Sequence, residues 1–387
     1  MNEVFDIVSC DENRESQEKL FKLIESGEGV LFVGSGSSVR LNYPSWEGVL
    51  RDLSNKITED AVKNIIEDKI GKGELLLAAE IIKSKIDSTE YNSAFESFFG
   101  PKKTTHDDFH KLLVTVRFKG FVTTNYDSVI ESALKEIQNP LSNYGIIISE
   151  EYKSRVHYFL NSIVNAINYS ERYHLYLHGK YNDPSSTILS YGDYVEKYDG
   201  QDIKNAGNLY DELIAGNLEI GEFESKSKLK NKAFRTLHYK AIYLLFASQR
   251  LVFTGFGLRD DYLNKVIDDI QEDFDPVYPN HFALMSNNGS KSWTRLDYLE
   301  EKKKWKSKGV ELVFFNDDAN YGGIFKFFQG LSPNSFLSDS IQPDHSASEV
   351  DTITVEPKTS ENEEEDESIN SKLLAKTRKT VEELKGK

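Results

Sequence analysis

Short, almost wholly apolar runs recur along the chain. They read GVLFV from residue 29, GFVT from 120, HLYL from 174, RLVF from 250, HFALM from 281 and VELVFF from 310. Each is strand-like. Between them the apolar spacing turns helical. Leu20, Leu23 and Ile24 mark a short amphipathic helix over residues 16–27, which leads into the first strand. Leu75, Leu76, Ala79 and Ile82 belong to a helical stretch running from Trp46 to about Phe99. Further helices are predicted over residues 109–116, 128–134, 150–168 and 233–248. Strands alternating with helices predict an α/β, Rossmann-like parallel sheet flanked by helices, with a helical layer over one end.

Residues 1–335 read as one domain, with helical insertions at about 47–110 and 128–173. Beyond it, Ser, Pro, Asp and Glu dominate, and residues 361–367 are almost wholly acidic. The composition of 336–387 predicts a disordered tail. It ends in helical spacing over 371–384, which reads either as a solvated tail or as a docking helix.

The residues just past the apolar runs suit a ligand rather than a core. The first run leads into Gly34, Ser35, Gly36, Ser37 and Ser38, the second into Thr124, Asn125, Tyr126 and Asp127. The third leads into His178 and Gly179, and the fourth into Gly255, Phe256 and Gly257. In an open parallel sheet, ligands bind beyond the carboxyl ends of the strands. If these runs are neighbours, all four motifs meet in one crevice. Glycine lets backbone approach a ligand closely, and amides at a helix start can hold a pyrophosphate.

Individual residues keep two readings. Asp127 is either a ligand-facing acid or the N-cap of the next helix. Asn125 either faces a ligand or satisfies turn backbone. Tyr126 is expected on the opposite face of its strand, in the core. Trp46 either lines the pocket mouth or anchors the helical layer. His106 and His110, four apart on a predicted helix, have a zinc-compatible spacing but no obvious third ligand. His178 is the histidine best placed for proton transfer, since imidazole titrates near working pH. His174 lies too far along the same strand to share a metal with it.

The ordered set GSG, TTNYD, LHG and GFGLRDD resembles the sirtuins, and more closely the bacterial sirtuin-like domains. PSW at 44–46 and LSYGDY at 189–194 fit the same resemblance. It implies NAD⁺ as substrate and no metal. Asn125 and His178 would be catalytic. Gly34, Ser35, Gly36, Ser37, Trp46, Thr124, Asp127, Gly255, Phe256 and Gly257 would bind the dinucleotide. It also implies a NAD⁺ hydrolase of bacterial defence against phage, gated by assembly as a homo-oligomer or with a HerA-type ATPase. A Thoeris-type effector, a non-catalytic nucleotide sensor and a NAD-dependent deacylase are the alternatives. Few residues come after Phe315, which favours the HerA layout over one with a sensor domain.

Composition narrows these classes. The four-cysteine zinc module of protein-deacylating sirtuins needs four ligands, and the chain has one cysteine, Cys10. The formal charge of −16 argues against direct nucleic-acid binding, which draws on Lys and Arg. No apolar run approaches the length of a membrane span. A soluble, cytoplasmic protein is expected. Replacing Gly36 by Val is expected to weaken NAD⁺ binding with little effect on stability.

Overall fold

The computed structural model describes residues 5–102, 105–137, 146–148, 156, 172–227, 236–258, 260–274, 281–287, 293–317 and 322–337. All of them fall within one compact unit, Met1–Ile341. Of the expected helix over 150–168 only residue 156 is described, and the expected tail with its terminal helix lies outside the described residues from 338 onward.

Seven parallel strands form one sheet in the order β3-β4-β2-β1-β5-β6-β7. They are β1 (Gly29–Val33), β2 (Gly120–Thr123), β3 (Ile146–Ile147), β4 (Tyr173–Tyr176), β5 (Arg250–Thr254), β6 (His281–Asn287) and β7 (Val310–Asn316). Every apolar run of the sequence is a strand. β1 is buried at every position, as a parallel strand covered on both faces must be. Its alternate residues feed two cores. Val30 and Phe32 face one, and Leu31 and Val33 face the other.

The first core is filled by helices Leu237–Ser248 and Asp261–Phe274, through Ile242, Leu245, Val266 and Ile267. On the other face lie α1 (Asp11–Ser26), α6 (Asp108–Thr115) and α7 (Val129–Ile137), through Leu20, Leu113 and Leu134. A third core is almost entirely helical. It joins α2 (Trp46–Ser54), α3 (Asp60–Gly71), α4 (Leu75–Lys85) and α5 (Ser88–Phe99) to α8 (Tyr191–Tyr194), through Leu50, Ile66, Ile81, Phe95 and Tyr191. This is the helical layer that the spacing predicted.

Two buried polar side chains secure the frame. Asn13 donates to Phe314 O at 3.0 Å and accepts from Phe314 N at 2.8 Å. Its amide thus mimics a further strand along edge strand β7. Arg172, fully buried, donates to the carbonyls of Val114, Phe118 and Val116. It ties the segment joining α6 to β2 against the start of β4.

Burial also sets how the fold responds to acid. It holds the rings of His174 and His281 at a pKa of about 4 and pushes His178 and His238 down as well. His281 Nδ1 accepts from Leu251 N at 3.2 Å, a bond that protonation would break. The unfolded chain, with histidines near 6.5, binds protons that the folded one refuses. Stability is therefore full above about pH 6.5 and is lost as pH falls toward 4. The slope is about 1.4 kcal/mol per pH unit for each proton taken up. Unfolding free energies from denaturant titrations at about pH 7.5 and about pH 5 are expected to differ by several kcal/mol. Coinciding curves would contradict it.

Candidate functional site

The strand order changes direction at β1. β2 pairs on one side of it and β5 on the other, and β4 pairs with β2. The carboxyl ends of these four strands open onto a cavity of about 850 Å³, counting its open mouth. Ser35, Ser38, Trp46, Thr124, Asn125, Asp127, His178 and Phe256 all line it. The four motifs do meet.

The turn after β1 is interlocked with the turn after β5. Gly34 N donates to Thr254 O at 2.8 Å, and Gly36 N to Gly255 O at 2.9 Å. A Cβ on Gly34 would fall within 3.0 Å of Gly255 O and Phe256 Cα, and one on Gly36 would reach Gly255 O at 3.0 Å. Gly255, at φ 64°, would bring a Cβ to 2.8 Å from Ser37 N. These glycines are required because two backbones touch. The amides of Ser37 and Ser38 bond to Gly34 O and Ser35 O within the turn. A branched side chain at Gly36 would therefore press on the β5 turn, and its cost falls on stability as well as on binding. That corrects the expectation of a stability-neutral Gly36→Val. Of the serines, Ser37 is buried and bonded to Gly34 O, whereas Ser35 is exposed at the cavity. Gly257, at φ 67°, is not among the lining residues.

Asn125 lies two residues past β2, in the loop rather than at the strand tip. Its Nδ2 donates to Gly34 O at 3.1 Å and Ser38 Oγ at 3.2 Å. Gly34 O can only accept, so the amide nitrogen must face it. Oδ1 is then the other end of the amide, and it is buried without a partner. An unpaired buried acceptor calls for a donor. Asp127 touches both the start of α7 and the cavity. Oδ1 accepts from Val129 N at 3.0 Å, capping α7, and the residue lines the cavity. Burial pushes its carboxyl above the usual range, opposed by the bonds from Val129 and Ser38.

His178 lies just past β4 and is 3% exposed. Nδ1 lies 3.5 Å from Tyr194 Oη, and Nε2 lies 3.4 Å from Tyr198 Oη and 3.8 Å from Asp260 Oδ2. Burial lowers its pKa and Asp260 raises it, burial being the larger effect. The ring is therefore neutral at working pH, as a base requires.

Tyr126 packs on the helical core, as expected, with its ring on Phe95 and Phe99, and it also lines the cavity, its hydroxyl bonded to Ile188 O at 2.5 Å. The chain leaves strand geometry at Thr123, so strand alternation no longer governs Tyr126. His106 and His110 do not face a common site. His106 pairs with Glu136 at 2.5 Å. His110 bonds Asp107 at 2.6 Å and donates from Nε2 to Ser37 O at 3.1 Å, bracing the β1 turn from below. Among the described residues no cluster of three His, Cys, Asp or Glu could hold a metal.

Asp260, Tyr194 and Tyr43 also line the cavity, although the sequence did not single them out as site residues. Asp260 sits in the GFGLRDD motif and Tyr194 in LSYGDY, so the signal was present in those motifs. With Asp127, Asp260 gives the cavity two acids. No lysine or arginine lines it among the described residues.

The family described as SIR2-like domain matches residues 119–313, just over half of the chain. The chain belongs to this family. The SIR2-like match runs from the start of β2 through β7 and takes in the Asn125, His178 and Asp260 loops. The chain is also similar to two proteins named NAD(+) hydrolase ThsA. One, from Enterococcus faecium, is 24% identical over 69% of this chain and 45% of its own length. The other, from Bacillus cereus (strain MSX-D12), is 22% identical over 86% of this chain and 58% of its own. The SIR2-like chain thus spans about half the length of the curated relatives it matches. Among the described residues no helix is long and apolar enough to cross a membrane.

Proposed function

We propose that this chain hydrolyses NAD⁺ to nicotinamide and ADP-ribose. The observation that carries the reading is the unpartnered Asn125 Oδ1, buried in the cavity that His178 and Asp127 also line. A ribose hydroxyl or an attacking water supplies the donor that Oδ1 lacks. The bond between ribose C1′ and the nicotinamide nitrogen breaks with its electron pair leaving on nicotinamide. The ribose is left as an oxocarbenium-like cation, which Asp127 and Asp260 stabilise electrostatically. Water then attacks C1′, and its proton passes to neutral His178. The cavity's two acids favour the cationic nicotinamide end, and exposed Ser35 marks the side toward which the diphosphate extends. The relatives' name, NAD(+) hydrolase, supports the same activity.

The biological role within this reading is NAD⁺ depletion in defence against phage, under a gate. The relatives named ThsA favour a Thoeris-type effector over assembly with a HerA-type ATPase. Self-association into a homo-oligomer in the cytoplasm completes the proposal. Light scattering of the protein alone and with a HerA-type partner distinguishes the layouts.

Incubating purified protein with NAD⁺, with and without an acetylated peptide, tests the chemistry. Nicotinamide and ADP-ribose released in equal amounts, indifferent to peptide, is the expected result. Release only with peptide would indicate a deacylase. Binding without turnover under any oligomeric condition would indicate a sensor.

A further inference from the structure

The loop after β5 bends through left-handed geometry at Gly255, Gly257 and Leu258 (φ 64°, 67° and 53°). Leucine adopts that region only where its surroundings enforce it. Leu258 is buried, and its carbonyl accepts from Asn264 Nδ2 at 3.1 Å. This path delivers Asp260 to the wall of the cavity, beside His178. Asp260 Oδ1 accepts from Leu263 N at 2.9 Å, at the start of helix Asp261–Phe274. Asp260 Oδ2 accepts the hydroxyl proton of Tyr194 at 2.7 Å.

A tyrosine hydroxyl has one proton. Since Tyr194 gives it to Asp260, Tyr194 Oη can only accept from its other neighbour, His178 Nδ1. A proton of neutral His178 on Nδ1 completes that chain and leaves the lone pair on Nε2, toward which the Tyr198 hydroxyl, 3.4 Å away, can donate. When Nε2 takes a proton, the Asp260 carboxylate 3.8 Å away stabilises the resulting charge. We propose that Asp260, acting through Tyr194, is a positioning residue that fixes His178 in the tautomer whose Nε2 is the base. The inference rests on the proposal that His178 is that base. The titratable groups facing the ring are Asp260, Tyr194 on α8, Tyr198 just beyond it, and His238 from helix Leu237–Ser248. Tyr194 and Tyr198 stack at 5.6 Å, and Tyr198 meets His238 edge-on at 4.9 Å. These rings keep the imidazole from turning over.

Asp260→Asn tests the idea with little disturbance to the fold. The asparagine Oδ1 can still accept from Leu263 N. Its amide nitrogen, however, donates to Tyr194 Oη and turns the tyrosine proton toward His178 Nδ1. The imidazole proton must then move to Nε2, which is the wrong tautomer for catalysis. Losing the correct tautomer of a general base removes most of its contribution. The expected kcat is lower by on the order of 10²-fold, and any rise in KM reports the lost cavity charge, separately from the tautomer. Because Asp260 no longer supports the cation, the acidic limb of the kcat–pH profile should move to lower pH. Tyr194→Phe keeps the packed ring, loses the relay and should match the kcat loss. ¹⁵N NMR of the His178 ring reads the tautomer directly, without substrate. Wild type is expected to carry its proton on Nδ1, and Asp260→Asn on Nε2. An unchanged tautomer in Asp260→Asn overturns the inference, whatever happens to kcat. So does wild-type kcat in both variants. Full activity in His178→Ala would instead remove the base assignment, a result separable from the NMR.

Discussion

His178→Ala is expected to lower NAD⁺ turnover by about 10²–10⁴-fold, the range that a positioned general base contributes. Among the described residues the ring's polar contacts are 3.4 and 3.5 Å to two tyrosine hydroxyls and 3.8 Å to Asp260, so its removal breaks no short hydrogen bond. The affected quantity should be kcat. KM should change little, because the cavity walls at Trp46, Phe256 and Tyr126 stay in place. Asn125→Ala should cost as much activity, but with a second effect. Asn125 Nδ2 joins the β2 loop to Gly34 O and Ser38 Oγ. Truncation leaves a buried carbonyl unpaired, which costs about 1–3 kcal/mol. The two variants should therefore separate: both inactive, but only Asn125→Ala with a clearly lower denaturant midpoint. Nicotinamide release at the wild-type rate by His178→Ala would end the assignment of that residue.

The contrast between these variants reflects what a sequence can convey. The strands were legible because a parallel strand buried on both faces is an unbroken apolar run, and β1, β2, β4 and β5 carry such runs. Convergence of their ends was legible because motifs at the ends of parallel strands must share one edge of the sheet. The role of Asn125 as a tether between loops was not legible. Its partner Gly34 lies 91 residues away, and no local pattern reports which carbonyl a side chain reaches. The place of Tyr126 at the cavity, in addition to its packing on the helical core, was not legible either, because two-residue alternation stops at the end of β2. Asp260 was hidden for another reason. Its position depends on three left-handed residues in one short loop, one of them a leucine, and backbone geometry enforced by packing has no signature in composition. The His106–His110 spacing shows the converse. His106 precedes α6, which begins at Asp108, so the interval is not a helical one, and each ring has a nearer polar partner.

Gly34→Val is expected to have the largest effect on the fold itself. The glycines of GSG resemble a phosphate-binding turn, and a ligand-only role would make this substitution harmless to the empty protein. The structure predicts otherwise. A Cβ at Gly34 would fall within 3.0 Å of Gly255 O and Phe256 Cα, both of them backbone. No side chain can rotate aside to relieve such a clash. The turns after β1 and β5 would have to separate, breaking the bonds from Gly34 N to Thr254 O and from Gly36 N to Gly255 O. Overpacking commonly costs about 1–3 kcal/mol, and lost buried hydrogen bonds add about 1 kcal/mol each. A loss of roughly 3–5 kcal/mol is therefore expected in the unfolding free energy, read as a lower denaturant midpoint. Gly36→Val, whose Cβ would sit 3.0 Å from Gly255 O, should lose less. The ordering matters more than either value. A ligand-only role would leave both midpoints at wild type and lower NAD⁺ affinity alone. Interlocked turns require the apo protein to weaken first at Gly34, with affinity falling because Phe256 and Ser35 no longer frame one cavity.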